Sequence, residues 1–217
     1  NILREFLTRS AKKEKFDHEE IYRVMDLCLS CKACKSECPS NVDVAKLKAE
    51  FLQHYYDIHH VPFRAWLIAW LPRLYVPGMI MRPLTNMITG TALFRRMIGF
   101  SVKRPVPALS PVTLRGWERR RRPGNGKSGN EELSNGTVYI FADEFTNYND
   151  SDIGIKAVLL LEHLGYKVII PRHKESGRTF LSKGLLRSAR KVAEKNILML
   201  RGVVTAEKPL VGIEPSA

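Results

Sequence analysis

A chain of 217 residues with 44% hydrophobic content has room for one or two packed domains. It contains no Gln/Asn tract, collagen period or heptad array, which excludes the fibrous and low-complexity classes. The formal charge of +13 is unevenly placed: residues 1–57 are neutral, 58–122 carry +11 with Glu118 as their one acid, and 123–217 carry +2, a pattern that favours an acidic partner, an anionic cofactor or an anionic membrane surface.

Residues 2–16 read as a short amphipathic helix, with Ile2, Leu3, Phe6 and Leu7 followed by a Lys-rich end. Residues 18–29 read as a second, with Ile21, Val24, Met25 and Cys28 on one face at helical spacing. The cysteines of the chain then come as one run: Cys28, Cys31, Cys34 and Cys38, followed by Pro39. C-x2-C-x2-C-x3-C-P is the bacterial ferredoxin run, whose thiolates hold a [4Fe–4S] cluster. Soft sulfur ligands at such close spacing let a tight coil aim several thiolates at one small cluster. In two-cluster proteins the fourth cysteine of the run serves the other cluster. Cys28, Cys31 and Cys34 are therefore expected on one cube and Cys38 on a second.

Two disulfides are a poor account of the same run. A signal peptide is not expected, and residues three apart in a helical stretch are badly placed to bridge distant elements. A structural zinc site is the stronger rival, although zinc sites usually pair two C-x2-C halves across a longer spacer. A reducing compartment follows under either metal reading. Pro39 ends the run, and Ser40 or Asn41 is placed to cap a helix over 42–57 whose apolar face is Val44, Leu47, Phe51 and Tyr55. Helix, cysteine coil, Pro and helix give an all-α, ferredoxin-like cluster domain over 1–57.

Residues 58–122 form a basic helical and extended segment. Between Phe63 and Met81 the apolar residues are interrupted by Arg64, Pro72, Arg73 and Pro77, so a spanning helix of about 20 apolar residues is not expected. Two readings stand: a helical element packing on the cluster domain or a partner domain, or an interfacial helix with Trp at the headgroup level and Arg on lipid phosphate. The run Arg119–Arg122 lacks interleaved aromatics, so nucleic acid is not the expected partner. Residues 123–136, rich in Gly, Asn and Ser, read as a linker.

From 137 to 217 the pattern changes. Val138–Phe141, Lys167–Pro171 and Leu210–Ile213 read as strands, Ile153–Leu164 as a helix stopped by Gly165, and Lys183–Leu200 as a long helix. This is a parallel βαβαβ unit, partial and Rossmann-like, with strands expected to be covered on both faces. The fold class is thus α plus α/β. Ligands in such sheets gather at the carboxyl ends of the strands, where Asp143, Asn147, His173, Glu175, Arg178 and Glu214 fall. Of these, His173 is the candidate general base near neutral pH, Glu175 a second catalytic candidate, and Arg178 a carboxylate clamp. Polar residues at strand ends serving only their own loops are the alternative. No GxGxxG or P-loop follows the first strand, so a nucleotide site is not expected there.

The cysteine run, the segment Lys35 to Tyr56 and the final βαβαβ unit together resemble the iron–sulfur half of FAD-linked 2-hydroxy-acid dehydrogenases. That group includes the glycolate oxidase iron–sulfur subunit and fused enzymes acting on D-lactate or D-2-hydroxyglutarate. The resemblance is specific at Cys28 to Pro39 and at Phe141 to Asn149, and looser over 60–135. It implies a flavin-binding domain or subunit carrying FAD, and a first cysteine run, both upstream. It also implies 4Fe-4S clusters passing electrons to an acceptor such as a quinone or another carrier, and a location in the cytoplasm or at the cytoplasmic face of the membrane, with 58–122 as the docking surface. The last third resembles the family's CCG domain, but Glu175-Ser176-Gly177 and Pro215-Ser216-Ala217 stand where the family shows cysteines, so no cluster and no thiol chemistry is expected in it. The start at Asn1 inside a helix-like segment and the stop at Ala217 after a strand read as cut ends. A fragment, C-terminally incomplete, is therefore expected, inactive by itself and prone to losing its cluster. A zinc-stapled interaction domain and a membrane-peripheral anchoring subunit are the alternatives.

Overall fold

The computed structural model describes residues 5, 8–121 and 135–214. In chain order the helices before the sheet are α1 (Glu19–Asp26), α2 (Ala33–Glu37), α3 (Val44–Ile58), α4 (Phe63–Ile80), α5 (Arg82–Gly90), α6 (Ala92–Met97) and α7 (Leu114–Arg121). Then come β1 (Thr137–Phe141), α8 (Glu144–Tyr148), α9 (Ser151–His163), β2 (Lys167–Ile169), α10 (Arg178–Ser182), α11 (Leu186–Leu200) and β3 (Leu210–Gly212). The protein is thus mostly helical, with one small parallel sheet. It divides into two compact units, Asn1–Trp70 with Gly177–Arg190, and Leu71–Ser176 with Lys191–Ala217.

The first unit is built on α1 and α3. Glu19 and Glu20 open α1, where carboxylates favour the positive helix end. Ile21 and Met25, four apart, pack against Phe51 and Leu52 of α3, with Tyr22 stacked on Tyr55 at 4.8 Å. The helix stops at Asp26, so Cys28 lies just beyond it rather than on its face. The first expected helix is also shorter than its pattern: Glu5, Thr8 and Arg9 are helical, but residues 10–18 are not. Lys12, Lys13 and Lys15 offer no apolar stripe to bury there. Asp43, not Ser40 or Asn41, caps α3, accepting from the Lys46 N–H at 2.9 Å; Asn41 is instead in the left-handed region, with φ 54°. The buried face of α3 is Ala45, Lys48, Ala49, Phe51 and Leu52, while Leu47 is exposed.

The expected helix over 183–200 is α11, which starts three residues later, beyond Gly184 (φ +73°) and the short helix α10. Phe180 of α10 is buried edge-on to Trp70, ring centroids 5.2 Å apart. Arg187 of α11 forks onto both carboxylate oxygens of Asp57 at 2.7 Å. Helix α4 runs through Pro72 and Pro77 without a break. Each proline removes one helical N–H and costs about 3 kcal/mol in an unsupported helix. Burial of Ala65, Ala69, Pro72 and Tyr75 along the helix offsets that cost.

In the second unit the strand order is β2-β1-β3, all parallel, with Val138 opposite Val168 and Ile140 opposite Val211. Leu114, Ile140, Ala142, Val158 and Val168 form its core. The expected three strands and their order of connection are present, each bounded slightly differently. Cover on both faces does not extend to β3, where Val211 and Gly212 are exposed. Helix α9 ends at the expected place, with Gly165 at φ +84° beyond it. The expected linker, 123–136, lies outside the described residues except at Asn135 and Gly136. No described helix is long and apolar enough to cross a membrane.

Candidate functional site

Two places carry chemistry. The first is the cysteine coil of the first unit. The Cys28 N–H closes on Met25 O at 3.1 Å as α1 ends, Cys34 lies in α2, and the Cys38 N–H closes on Cys34 O at 3.1 Å. All four thiols are free, Cys31 being the exposed one. Ser30, Lys32 and Asn41 all have positive φ, which turns the backbone sharply around the sulfurs. The Ser30 N–H lies 3.4 Å from Cys28 Sγ. The Cys38 thiol is pulled below its ordinary pKa by the backbone N–H of Val42 first, then by those of Ser40 and Asn41. N–H groups directed at sulfur favour the thiolate, the form that ligates metal. Four soft donors without disulfides, N–H groups aimed at sulfur and the ferredoxin spacing fit an iron–sulfur cluster in donor chemistry. Among the described residues no three His, Cys, Asp or Glu side chains are gathered about one point.

The second place is a cavity of about 290 Å³ in the second unit, at the carboxyl ends of β1 and β2. Of the residues expected there, Asn147, His173 and Glu175 line it; Asp143, Arg178 and Glu214 do not. Arg178 opens α10 and belongs to the other unit. Asp143 is 1% exposed and caps α8, accepting from the Phe145 N–H at 2.8 Å, the Thr146 N–H at 3.0 Å and the Thr146 hydroxyl at 2.5 Å. Residues the sequence pattern does not mark also line the cavity: Arg73 of α4, Arg115 of α7 and Glu144 of α8. Buried Glu144 accepts from the Ser176 N–H at 2.9 Å and its hydroxyl at 2.8 Å, and Arg73 Nε donates to Glu175 at 3.0 Å. Polar pairs thus stand where the CCG resemblance would place thiolates. Arg115 donates to Pro171 O at 3.0 Å, and burial lowers its pKa.

Both ring nitrogens of His173 are engaged. Its Nε2 lies 3.1 Å from the Ala142 N–H, which can only donate, so Nε2 accepts. Its Nδ1 lies 2.6 Å from Lys174 O, which can only accept, so Nδ1 carries the proton. The ring stacks on Phe141 at 4.0 Å. A general base needs a free lone pair, and here that lone pair holds the end of β1. Burial first, then the Arg115 cation, push the His173 pKa down from 6.5 to about 4. The neutral ring is therefore the folded form. Between pH 6.5 and about 4 the unfolded chain binds the extra proton, so folding stability is present above pH 6.5 and falls as pH drops through that window. The loss is at most about 3 kcal/mol. Urea unfolding at pH 7, 5.5 and 4.5 should show it, with a shallower slope in His173→Phe.

The comparisons with known proteins bear on the first site directly. The 4Fe-4S dicluster domain family matches residues 2–43, which contain the whole cysteine run. D-2-hydroxyglutarate dehydrogenase of Escherichia coli (strain K12) is 30% identical over 217 residues, covering 95% of this chain and 21% of the relative. The enzyme of the same name from Haemophilus influenzae is 28% identical over 93% of this chain and 20% of its own length. The Pseudomonas putida one is 27% identical over 99% and 22%. The chain thus spans about a fifth of the length of these relatives. No solved structure matches it significantly. A 4Fe-4S dicluster sequence at the cysteine coil, continuous with a match along nearly the whole chain, makes this protein a homologue of the D-2-hydroxyglutarate dehydrogenases of the FAD-linked oxidase family.

Proposed function

We propose that the chain is the iron–sulfur electron-transfer portion of a flavin-linked oxidoreductase acting on a 2-hydroxy acid of the D-2-hydroxyglutarate, D-lactate or glycolate class. The observation that carries this reading is the complete C-x2-C-x2-C-x3-C-P run inside the matched dicluster segment. Cys28, Cys31 and Cys34 would hold one cube and Cys38 would be lent to a second. A [4Fe–4S] cube, when bound, takes up and releases one electron at a time, which suits a relay from a two-electron flavin donor to an acceptor such as a quinone or another carrier. The chain's own part is to present thiolates: the N–H groups around Cys28 and Cys38 favour the ionised sulfur, and the positive-φ residues shape the coil. In the second unit, the parallel order β2-β1-β3 supports a partial Rossmann-like domain. Ile80, Met81, Met87, Leu93 and Met97 stand exposed beside Arg82, Arg95 and Arg96. That surface suits a partner domain carrying FAD.

The natural polypeptide bearing this sequence, purified anaerobically, should contain iron and acid-labile sulfide and develop a reduced-cluster EPR signal on adding a D-2-hydroxy acid. One zinc per chain without iron would leave the zinc-stapled interaction domain standing instead.

A further inference from the structure

Lys48 is only 3% exposed and lies on the buried face of α3 among Ala45, Ala49 and Leu52. Its ammonium donates to the backbone carbonyl of Cys28 at 2.5 Å, and among the described residues no carboxylate pairs with it. Burying an ammonium costs several kcal/mol unless charge or dipoles replace the lost water. One carbonyl supplies a small part of that. The surroundings add to the problem: Lys183, half-buried in the same unit, is pushed below the ordinary lysine pKa by burial, then by Lys48, with Arg64 acting in the same direction and Asp26 opposing. Cations are therefore concentrated behind the carbonyl of the first cysteine. What lies within the same coil is a set of thiolates, and iron bound by them carries net negative charge.

We infer that Lys48 is a positioning residue for the cluster: it clamps the backbone of Cys28 and supplies the buried positive charge that offsets an anionic thiolate cluster, raising its reduction potential. This rests on the iron–sulfur reading above. Adding an electron makes the cluster more negative, so a nearby fixed cation favours the reduced state, and removing the cation favours the oxidised one.

The test is an EPR-monitored redox titration, with iron and sulfide analysis, of the natural polypeptide purified anaerobically. Lys48→Gln keeps a donor for Cys28 O and removes the charge. With iron retained, its equilibrium constant for one-electron reduction should fall about tenfold, a midpoint lower by about 59 mV, while Lys48→Arg should stay near the wild type. If Lys48→Gln loses its iron, Lys183→Met reads the same field from a less buried position: a lowered midpoint supports the inference and an unmoved one overturns it. Iron-replete wild type with an unmoved Lys48→Gln midpoint overturns this inference alone. Wild type without iron overturns the iron–sulfur reading with it.

Discussion

Cys34→Ser should cost the polypeptide about half of its cluster iron, and Cys38→Ser the other half, if each residue serves a different cube as proposed. A serine oxygen is a hard donor and a poor substitute for thiolate toward iron. The two variants should therefore abolish different EPR signals, and the double variant should retain neither. Iron and sulfide per chain, with EPR of the dithionite-reduced proteins, measure this directly. If both single variants lose the same signal, the run serves one cube as a closed four-ligand set, and the division between Cys28, Cys31 and Cys34 on one side and Cys38 on the other is wrong.

Gly184→Val should be the most damaging substitution outside the cysteines. A Cβ there would stand 2.2 Å from Leu52 Cβ and 3.2 Å from its Cα, so the obstruction lies at the root of a core side chain. Its φ of +73° adds backbone strain for any L residue. Overpacking and strain together destabilise by about 3 kcal/mol or more. Gly90→Ala, with nothing within 4 Å, is the matched control and should unfold near the wild-type midpoint. Urea unfolding monitored by Trp fluorescence separates the two, since Trp70 packs on Phe180 of α10. A Gly184→Val midpoint equal to the control would mean that α10 does not hold its position against α3.

Elements set by local punctuation were readable. Gly165 marks the end of α9, and the apolar runs at 138–141 and 167–171 mark two parallel strands, because turn chemistry and hydrophobic runs are local signals. Faces and long-range partners were not. The period of α3 points to Val44, Leu47, Phe51 and Tyr55; Phe51 is buried, but the rest of the buried stripe is Ala45, Lys48, Ala49 and Leu52. Small alanines allow close packing, which hydropathy alone cannot detect, and a lysine on that stripe reads as solvent-facing until its partner is known. Helix α4 continues through two prolines because burial outweighs their local cost. At the candidate sites the ligand run was plain in the sequence. Arg73 and Arg115 were not, since they reach the strand-end cavity from α4 and α7, outside the βαβαβ unit. His173 was readable as a titratable residue at a strand end, but its two backbone hydrogen bonds only the fold reveals.

The discontinuous first unit has a consequence during synthesis. Its cysteine coil and α3 leave the ribosome first, and Phe180, Gly184 and Arg187, which complete the same unit, follow Cys38 by about 140 residues. At about 5–20 residues per second, that is an interval of roughly 7–30 seconds. Throughout it the Leu52 side of α3 waits without its final covering, so synthesis of the cysteine coil and completion of the unit that holds it are separated in time by the path of the chain itself.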